Sequence, residues 1–252
     1  MQHVGPLFNN VLSNVTPLLK ESCFYTHGML TPEEFVNAGD ELVLKCGTWM
    51  WSGCSKKYIV SYLPKDKQFL ICRSVPEQFN SSNIKESTNE DGWTDCNTNS
   101  NSNSQKQDEL IEDIDDFEEN DIEDDVEDEE NDIYVVNNKN INRYDISITY
   151  NNYYRTPQVW ILGYNPDGSV IHPLNLLNNI SSDHTNKTAT IESHPHDGIR
   201  QLSIHPCKHS QTILSLVKHA KDKYNVKNSL FLFIKIISTI VPNINYDFTV
   251  NF

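Results

Sequence analysis

The sequence predicts an α+β fold in which an antiparallel sheet is flanked by helices. Short β-like runs occur as neighbouring pairs joined by turn residues, and helical apolar patterns occur towards both ends of the chain. A long acidic segment of low apolar content separates two such pairs. Strands that follow one another, with helices grouped rather than alternating, are typical of α+β proteins. We therefore expect one core, assembled from segments on both sides of a disordered acidic insertion.

Residues 1–20 are predicted to form an amphipathic N-terminal helix. Its apolar residues recur at the spacing of one helix face. This face includes Leu7, Phe8, Val11, Leu12 and Val15. The opposite face carries Asn, Ser and Thr but no charge, which suits membranes with packing defects rather than anionic membranes. The alternative is that the apolar stripe packs on the core of the protein.

Residues 21–78 are predicted to form the first part of the core. Thr31 followed by Pro-Glu-Glu has the pattern of a helix N-cap, and the helix should continue through Leu44. Two β-like runs follow at Tyr58–Leu63 and Phe69–Cys72. The polar connection Pro64–Lys67 between them predicts a hairpin.

Residues 79–142 are predicted to be a disordered insertion, because they hold too few apolar side chains to offset the entropy of ordering. Between Asp108 and Asp132 the chain has 17 Asp and Glu and no Lys or Arg, so this segment alone accounts for the formal net charge of -15. The remaining 18 acidic residues nearly balance 20 Lys and Arg, so the core has no basic footprint for nucleic acid.

Apolar residues keep helical spacing inside the acidic run. Leu110, Ile114 and Phe117 would share one face of a short helix that folds against a basic partner. The alternative is a solvated spacer, which is the usual role of a block of like charges.

Residues 143–252 are predicted to form the second part of the core. Tyr144–Tyr150 and Val159–Tyr164 have strand patterns, and Asn165–Gly168 is a turn signal. The stretch from this turn to Cys207 is predicted to have no regular secondary structure. Two helices are then predicted, at Ser210–Tyr224 and at Leu230–Val241.

The cysteines favour a reducing compartment. The chain has 6 of them, scattered without paired spacing, and its N-terminus lacks the basic and apolar regions of a secretory signal. The longest apolar stretch, Leu230–Val241, is too short to span a bilayer and contains Lys235. We therefore expect a cytoplasmic protein with free thiols.

Cys207 is the candidate nucleophile, in the segment Ser203-Ile-His-Pro-Cys-Lys-His209. A cysteine reacts as the thiolate, and cationic His205, Lys208 and His209 would favour that form if they face the sulfur. Pro206 fixes the backbone before it, and the helix that follows would bring its positive N-terminal end close.

Two alternatives remain open for Cys207. It could be a structural cysteine in a histidine-rich loop. It could also belong to a zinc site, although the spacing of the neighbouring ligand types fits no zinc-finger or catalytic-zinc pattern. These ligand types are His194, His196, His205, Cys207 and His209. Nucleotide-binding and serine-hydrolase motifs are missing from the sequence, and no cofactor is expected.

The segment His205-Pro-Cys-Lys-His209 strongly resembles the active-site motif of the autophagy-related protein 3 family of ubiquitin-conjugating-type enzymes. The resemblance covers nearly the whole chain outside the acidic insertion. Its other segments are Leu30–Val36, Ala38–Asp40, Trp49–Trp51, Tyr62–Pro64, Lys67–Leu70, Val75–Pro76, Asp91–Trp93, Tyr144–Asp145, Ile148–Tyr150, Tyr153–Tyr154, Thr156–Pro157, Trp160, Gly163–Tyr164, Lys187–Thr188, Thr190–Glu192, His194–His196 and Tyr246–Asp247.

The resemblance implies a fold like that of ubiquitin-conjugating enzymes and a defined reaction. An activating enzyme, autophagy-related protein 7, would deliver the ubiquitin-like autophagy-related protein 8 to Cys207 as a thioester. The amine of phosphatidylethanolamine would then take it, at a membrane with which the protein associates transiently. An accessory ligase complex is a further candidate partner.

The resemblance also suggests supporting residues. His205 is a candidate for supporting the cysteine, and Thr188 or Thr190 resembles the threonine that the family has near it. Ordinary ubiquitin-conjugating enzymes place an Asn a few residues before the cysteine to stabilise the oxyanion. This sequence has no His-Pro-Asn, so that role is unassigned.

Two other functions compete with this one. The sister conjugating enzyme, autophagy-related protein 10, also uses a His-Pro-Cys site but modifies a lysine of another protein. The amphipathic N-terminus and the acidic insertion argue against it. A non-enzymatic adaptor, with an inert Cys207 and a partner-recruiting insertion, is the other alternative.

Overall fold

Six strands form one antiparallel sheet in the computed structural model, which describes residues 16–78, 141–181, 188–219, 224–244 and 246. The order across the sheet is β1-β2-β3-β4-β6-β5, and each neighbouring pair is antiparallel. The strands are β1 Trp49–Ser52, β2 Phe69–Pro76, β3 Arg143–Asn151, β4 Thr156–Tyr164, β5 Ala189–Ser193 and β6 Arg200–Ile204. Strands from both sides of the acidic segment thus share one sheet.

Four α-helices accompany the sheet among the described residues: α1 Phe24–His27, α2 Pro32–Lys45, α3 His209–His219 and α4 Ser229–Ile240. The predicted start of α2 is confirmed as a capping box. The Thr31 hydroxyl accepts from the backbone N–H of Glu34, and the Glu34 carboxylate accepts from the backbone N–H of Thr31. The predicted helices near the C-terminus are confirmed, with α3 ending earlier than expected.

The two faces of the sheet differ in chemistry. One face is apolar and packs with the helices in a single core, with side chains such as Leu70, Ile146 and Ile148. Side chains alternate between faces along a strand, so their neighbours point the other way. That opposite face is more polar, and Thr149, Gln158 and Ser203 are buried on it beside Trp160. The fold is therefore α+β with helices against an antiparallel sheet, as expected.

Several family-like motifs serve the packing of α2 on the sheet edge. A Cβ on Gly39 would lie 2.2 Å from the Trp51 ring, so only glycine lets this tryptophan approach the helix. The Trp51 indole N–H donates to Asp40 at 2.8 Å, and the Lys67 ammonium bonds the same carboxylate at 2.7 Å. These residues therefore have a structural role.

The predicted hairpin of Tyr58–Leu63 with Phe69–Cys72 is wrong. Phe69–Cys72 is part of β2, but its partner is β1, and Tyr58–Leu63 forms no strand. The Gln68 side chain, fully buried, bonds the Val60 N–H and three carbonyls of this loop, so the loop satisfies its polar groups without a ladder. The sequence does not predict β1, because a run of 4 residues is too short to show the alternation that marks a strand.

The stretch before Cys207, predicted to be irregular, contains β5 and β6. Ala189 pairs with Ile204 and Ser193 with Arg200, and β6 also pairs with β4. Their polar-face positions hold buried Glu192 and Gln201. Because buried positions are polar here, the apolar alternation that marks a strand is weak.

Several predictions lie outside the described residues. These are the N-terminal helix with its face from Leu7 to Val15, nearly all of the 79–142 insertion, and the segment with Leu110, Ile114 and Phe117. The division into residues 1–20, 21–78, 79–142 and 143–252 stays a prediction. No described helix has the length and apolarity needed to cross a bilayer.

Candidate active site

Cys207 occupies the short connection between the sheet and α3. It lies in a 3₁₀ turn, Pro206–Lys208, that begins one residue after β6 and continues into α3 at His209. Its side chain is exposed, whereas the other described cysteines are buried or half-buried. The predicted placement at the start of a helix is therefore confirmed, and the sulfur is open to a large partner.

His205 fixes the turn that carries the cysteine. Its Nδ1 accepts a hydrogen bond from the backbone N–H of Cys207 at 3.3 Å, which caps the 3₁₀ turn. Its own backbone N–H donates to the Thr188 carbonyl at 2.7 Å. His205 thus ties the cysteine backbone to the residue that precedes β5.

Tyr154 faces the other side of the His205 ring. The Tyr154 hydroxyl oxygen lies 3.5 Å from Nε2 of His205, and the two rings meet edge to face with centroids 5.2 Å apart. Burial raises the pKa of Tyr154, and the negative charge of Cys207 raises it further. The phenol therefore keeps its proton close to the reactive sulfur.

The β3–β4 hairpin holds Tyr154 in place. The Asn151 side chain accepts from the Tyr154 backbone N–H at 3.0 Å and donates to Gln158 at 2.8 Å. Arg155 has a φ of 57°, a left-handed conformation that is costly for a residue with a side chain. Its carbonyl accepts from the Leu30 N–H at 2.9 Å, which helps to hold this conformation.

His209 does not face Cys207, so the condition under which the sequence predicts a role for it at the sulfur is not met. It is buried, its Nδ1 lies 3.0 Å from the Pro157 carbonyl, and its ring packs against Phe233. Burial lowers the pKa of His209 to about 4, so it is neutral at pH 7. Of the three expected cationic neighbours, Lys208 is exposed and His205 faces the backbone N–H of Cys207 and Tyr154.

α3 lies close to α1 directly after the cysteine turn. Gly28 ends α1 with a φ of 67°, and a Cβ there would lie 2.1 Å from the Ser210 carbonyl oxygen. Only glycine combines this left-handed conformation with so close an approach. The contact fixes the first turn of α3, and with it the orientation of the preceding turn that carries Cys207.

The two threonine candidates differ in position. Thr188 lies next to the site, because its carbonyl holds the His205 N–H. Thr190 pairs with Ser203, and its hydroxyl lies 3.4 Å from the Ser203 carbonyl and bonds the Glu192 carboxylate. Thr188 is therefore the better placed of the two.

The polar face of the sheet also borders a half-open cavity of about 410 Å³. Its lining includes Tyr58, Tyr62, Gln158, Trp160 and Glu192. Burial raises the pKa of the Glu192 carboxyl. Sequence reasoning gave no role to this carboxyl or to Tyr154, since their neighbours come from distant parts of the chain.

His194 and His196 are structural residues beside this cavity. The ring of His194 lies 3.2 Å from the Ser147 hydroxyl, and His196 stacks on Phe69 while its Nδ1 lies 3.1 Å from the Tyr58 carbonyl. They therefore do not join the cysteine turn. In the described ranges, no three His, Cys, Asp or Glu side chains are placed to hold a metal ion, so the structure does not assemble the zinc alternative.

The arrangement presents one exposed thiol on a rigid turn, with a protonated phenol beside it. A thiol in this position can carry an acyl group whose remaining mass stays in solvent, and it can release that group to an approaching nucleophile. The site is open to a protein-sized donor.

Comparisons with known proteins show which family this chain resembles. The family model described as "Autophagocytosis associated protein, active-site domain" matches residues 34–248. Among the similar proteins are three named autophagy-related protein 3 that match along nearly their whole length. The one from Dictyostelium discoideum is 34% identical over 100% of this chain and 98% of its own. The Arabidopsis thaliana protein is 32% identical over 100% of this chain and 96% of its own length. The Schizosaccharomyces pombe protein is 32% identical over 99% of this chain and 98% of its own length.

Proposed function

Because the chain belongs to the autophagy-related protein 3 family of conjugating enzymes, we propose that it carries autophagy-related protein 8 as a thioester on Cys207 and transfers it to phosphatidylethanolamine. The observation that supports this most is the exposed Cys207 at the start of α3, with its backbone N–H capped by His205. The activating enzyme in this proposal is autophagy-related protein 7.

The first step is exchange between two thioesters. The Cys207 thiolate attacks the carbonyl carbon of the C-terminal glycine of autophagy-related protein 8, and the activating enzyme's sulfur leaves as a thiolate. The N-terminal end of α3 favours negative charge, and the 3₁₀ turn that carries the nucleophile leads directly into it. The acyl group keeps its transfer potential because a thiolate leaves easily.

The second step is aminolysis. The neutral amine of phosphatidylethanolamine attacks the same carbonyl carbon, the bond to Cys207 breaks, and an amide forms. The exposure of Cys207 suits this step, because the acceptor lies in a membrane surface and cannot enter a closed cavity. No metal or cofactor takes part in this scheme.

Two parts of the proposal concern segments outside the described residues, and a third concerns a further partner. The helix predicted for residues 1–20 would bring Cys207 to the membrane through Leu7, Phe8, Val11, Leu12 and Val15. The acidic segment would dock on the activating enzyme through Leu110, Ile114 and Phe117. An accessory ligase complex would act on the protein once Cys207 carries the thioester. The protein itself would be cytoplasmic and would associate with membranes transiently.

A charging assay tests the proposal. The protein is mixed with autophagy-related protein 7, ATP and autophagy-related protein 8 ending in its reactive glycine, beside the Cys207→Ser variant. A reductant-sensitive adduct with the native protein, and a reductant-resistant one with serine, are expected. The matched control is Cys54→Ser, since Cys54 is a half-buried thiol remote in sequence from the turn.

Vesicles then distinguish the competing functions. Phosphatidylethanolamine should discharge the adduct to a lipidated product, whereas the sister enzyme's activity would need a protein lysine. The complete lack of an adduct, with the activating enzyme shown to be loaded, would rule out the enzyme and leave the adaptor.

A further inference from the structure

We propose that the Tyr154 hydroxyl donates a hydrogen bond to the thioester oxygen when it becomes negatively charged, and so fills the oxyanion-stabilising role that the sequence leaves unassigned. The inference rests on the proposed function, because it concerns discharge of an acyl group from Cys207. Its basis is the contact of the Tyr154 hydroxyl with the ring that caps Cys207.

The hydrogen bonds of His205 leave the Tyr154 proton available. A backbone N–H can only donate, so Nδ1 of His205, which faces the Cys207 N–H, carries no proton. In the neutral imidazole the proton is then on Nε2, which faces the Tyr154 oxygen. The phenol oxygen therefore accepts from His205. The described residues offer the phenol proton no acceptor, so it can donate to a group on Cys207.

Two other donors near the cysteine are already engaged. The backbone N–H of Cys207 bonds His205, and losing that bond would uncap the turn. The Thr190 hydroxyl is directed to Ser203 and Glu192 along the sheet. The tyrosine hydroxyl is half-buried beside the cysteine, and its proton stays bound well above pH 7.

The backbone supports a fixed position for this hydroxyl. Tyr154 precedes Arg155, whose left-handed conformation is maintained by contacts on both sides. The Arg155 N–H donates to the Asn151 carbonyl at 2.7 Å, and its carbonyl accepts from Leu30. A donor that is already oriented stabilises developing charge without reorganising during the reaction.

In the proposed step the amine nitrogen bonds to the thioester carbonyl carbon, and the carbonyl electron pair moves onto oxygen. The Tyr154 O–H donates to that oxygen and keeps its own proton. The carbon–oxygen double bond then re-forms, the carbon–sulfur bond breaks, and Cys207 leaves as a thiolate. The proton lost by nitrogen passes to the thiolate or to water.

The test separates charging from discharge. Native protein, Tyr154→Phe and Tyr153→Phe are charged, purified from the activating enzyme, and discharged with ethanolamine in solution. Tyr153 is the matched control, an exposed neighbour on the same hairpin. Charging is run to completion for each variant, and for Tyr154→Phe we expect discharge at saturating amine to be slower by about a hundredfold, the usual effect of losing one oxyanion donor.

A more acidic phenol gives a second readout that a packing role would not change. With 3-fluorotyrosine at position 154, discharge should be at least as fast as native at pH 7. Its rate should fall at lower pH than in the native protein, as the phenol ionises and can no longer donate.

Three outcomes would overturn the inference: Tyr154→Phe discharging within about threefold of native, the same slowing in Tyr153→Phe, or fluorotyrosine leaving the pH profile unchanged. The pH test also covers a Tyr154→Phe variant that folds poorly. Failure of the native protein to charge would instead refute the proposed function.

Discussion

The side chain of Gln68 pairs with both backbone groups of Val60. Its Oε1 accepts from the Val60 N–H at 2.8 Å, and its Nε2 donates to the Val60 carbonyl at 3.3 Å. The same Nε2 lies 3.2 Å from the Leu63 carbonyl and 2.8 Å from that of Pro64. One buried amide therefore replaces the strand partner that residues 58–63 lack, and it holds this loop over the polar face of the sheet.

Replacing Gln68 by Leu should lower the free energy of unfolding by about 3 kcal/mol, because buried backbone groups lose their partner. Urea unfolding at pH 7 measures this. Gln78→Leu, at an exposed position just beyond β2, is the control and should change stability by less than about 0.5 kcal/mol. Equal effects of the two substitutions would show that the Gln68 hydrogen bonds contribute nothing specific.

His205 variants should separate capping from contact with Tyr154. His205→Ala removes the acceptor of the Cys207 N–H, a bond worth about 1 kcal/mol, so charging should slow by roughly fivefold. His205→Asn retains an acceptor at the same distance from the backbone and should restore charging. Charging rates under limiting activating enzyme measure both. An Asn variant as slow as Ala would contradict the capping role.

Acid should destabilise the protein through His209. In the folded state the pKa of His209 is about 4, against an ordinary value of 6.5, so the unfolded chain binds the extra proton. The contribution of neutral His209 to stability is therefore fully present above pH 6.5 and is lost as the pH falls from 6.5 towards 4. At pH 5 the loss from this residue should be about 2 kcal/mol.

Urea unfolding at pH 7 and pH 5 tests this dependence with His209→Asn, which keeps a donor for the Pro157 carbonyl but does not titrate. Its loss of stability between the two pH values should be smaller than that of the native protein. His172→Asn, at an exposed site, should leave the loss unchanged. A native-like loss in His209→Asn would contradict the assignment.

Membrane binding should depend on the apolar face of residues 1–20. Phe8→Asp with Leu12→Asp should reduce flotation with small, highly curved phosphatidylethanolamine vesicles by at least about tenfold, because two charges enter the apolar face. Asn9→Asp with Ser13→Asp adds the same charge to the polar face and is the matched control. A Phe8→Asp, Leu12→Asp protein that floats like the native one would end the membrane role.

Docking on the activating enzyme should depend on the apolar positions of the acidic segment. Replacing Leu110, Ile114 and Phe117 by Ser should slow charging by about tenfold when the activating enzyme is limiting, and saturation with it should restore the rate. Ile122→Ser with Val126→Ser is the control in the same acidic run. Charging at native speed in the triple variant would leave the segment as a spacer.

The sequence predicted the elements whose signals are local. The α2 start depends on Thr31 and Glu34, three residues apart, and a capping box needs nothing more distant. The strands β3 and β4 have long runs of β-forming residues, and the apolar pattern of α4 is dense. The position of Cys207 at the start of a helix followed from the same short-range logic.

Tertiary structure decided what depends on residues distant in the chain. Whether residues 58–63 pair as a strand depends on Gln68, and β5 and β6 are strands because β4 offers an edge to β6. His205 faces Tyr154, and His209 turns inward to Pro157, because the β3–β4 hairpin ends beside the cysteine turn. Local pattern sets backbone preference, whereas the neighbours of a side chain are set by which distant segments bury their surface together. The chain sequence alone thus indicated the candidate nucleophile, and only the fold identified the groups around it.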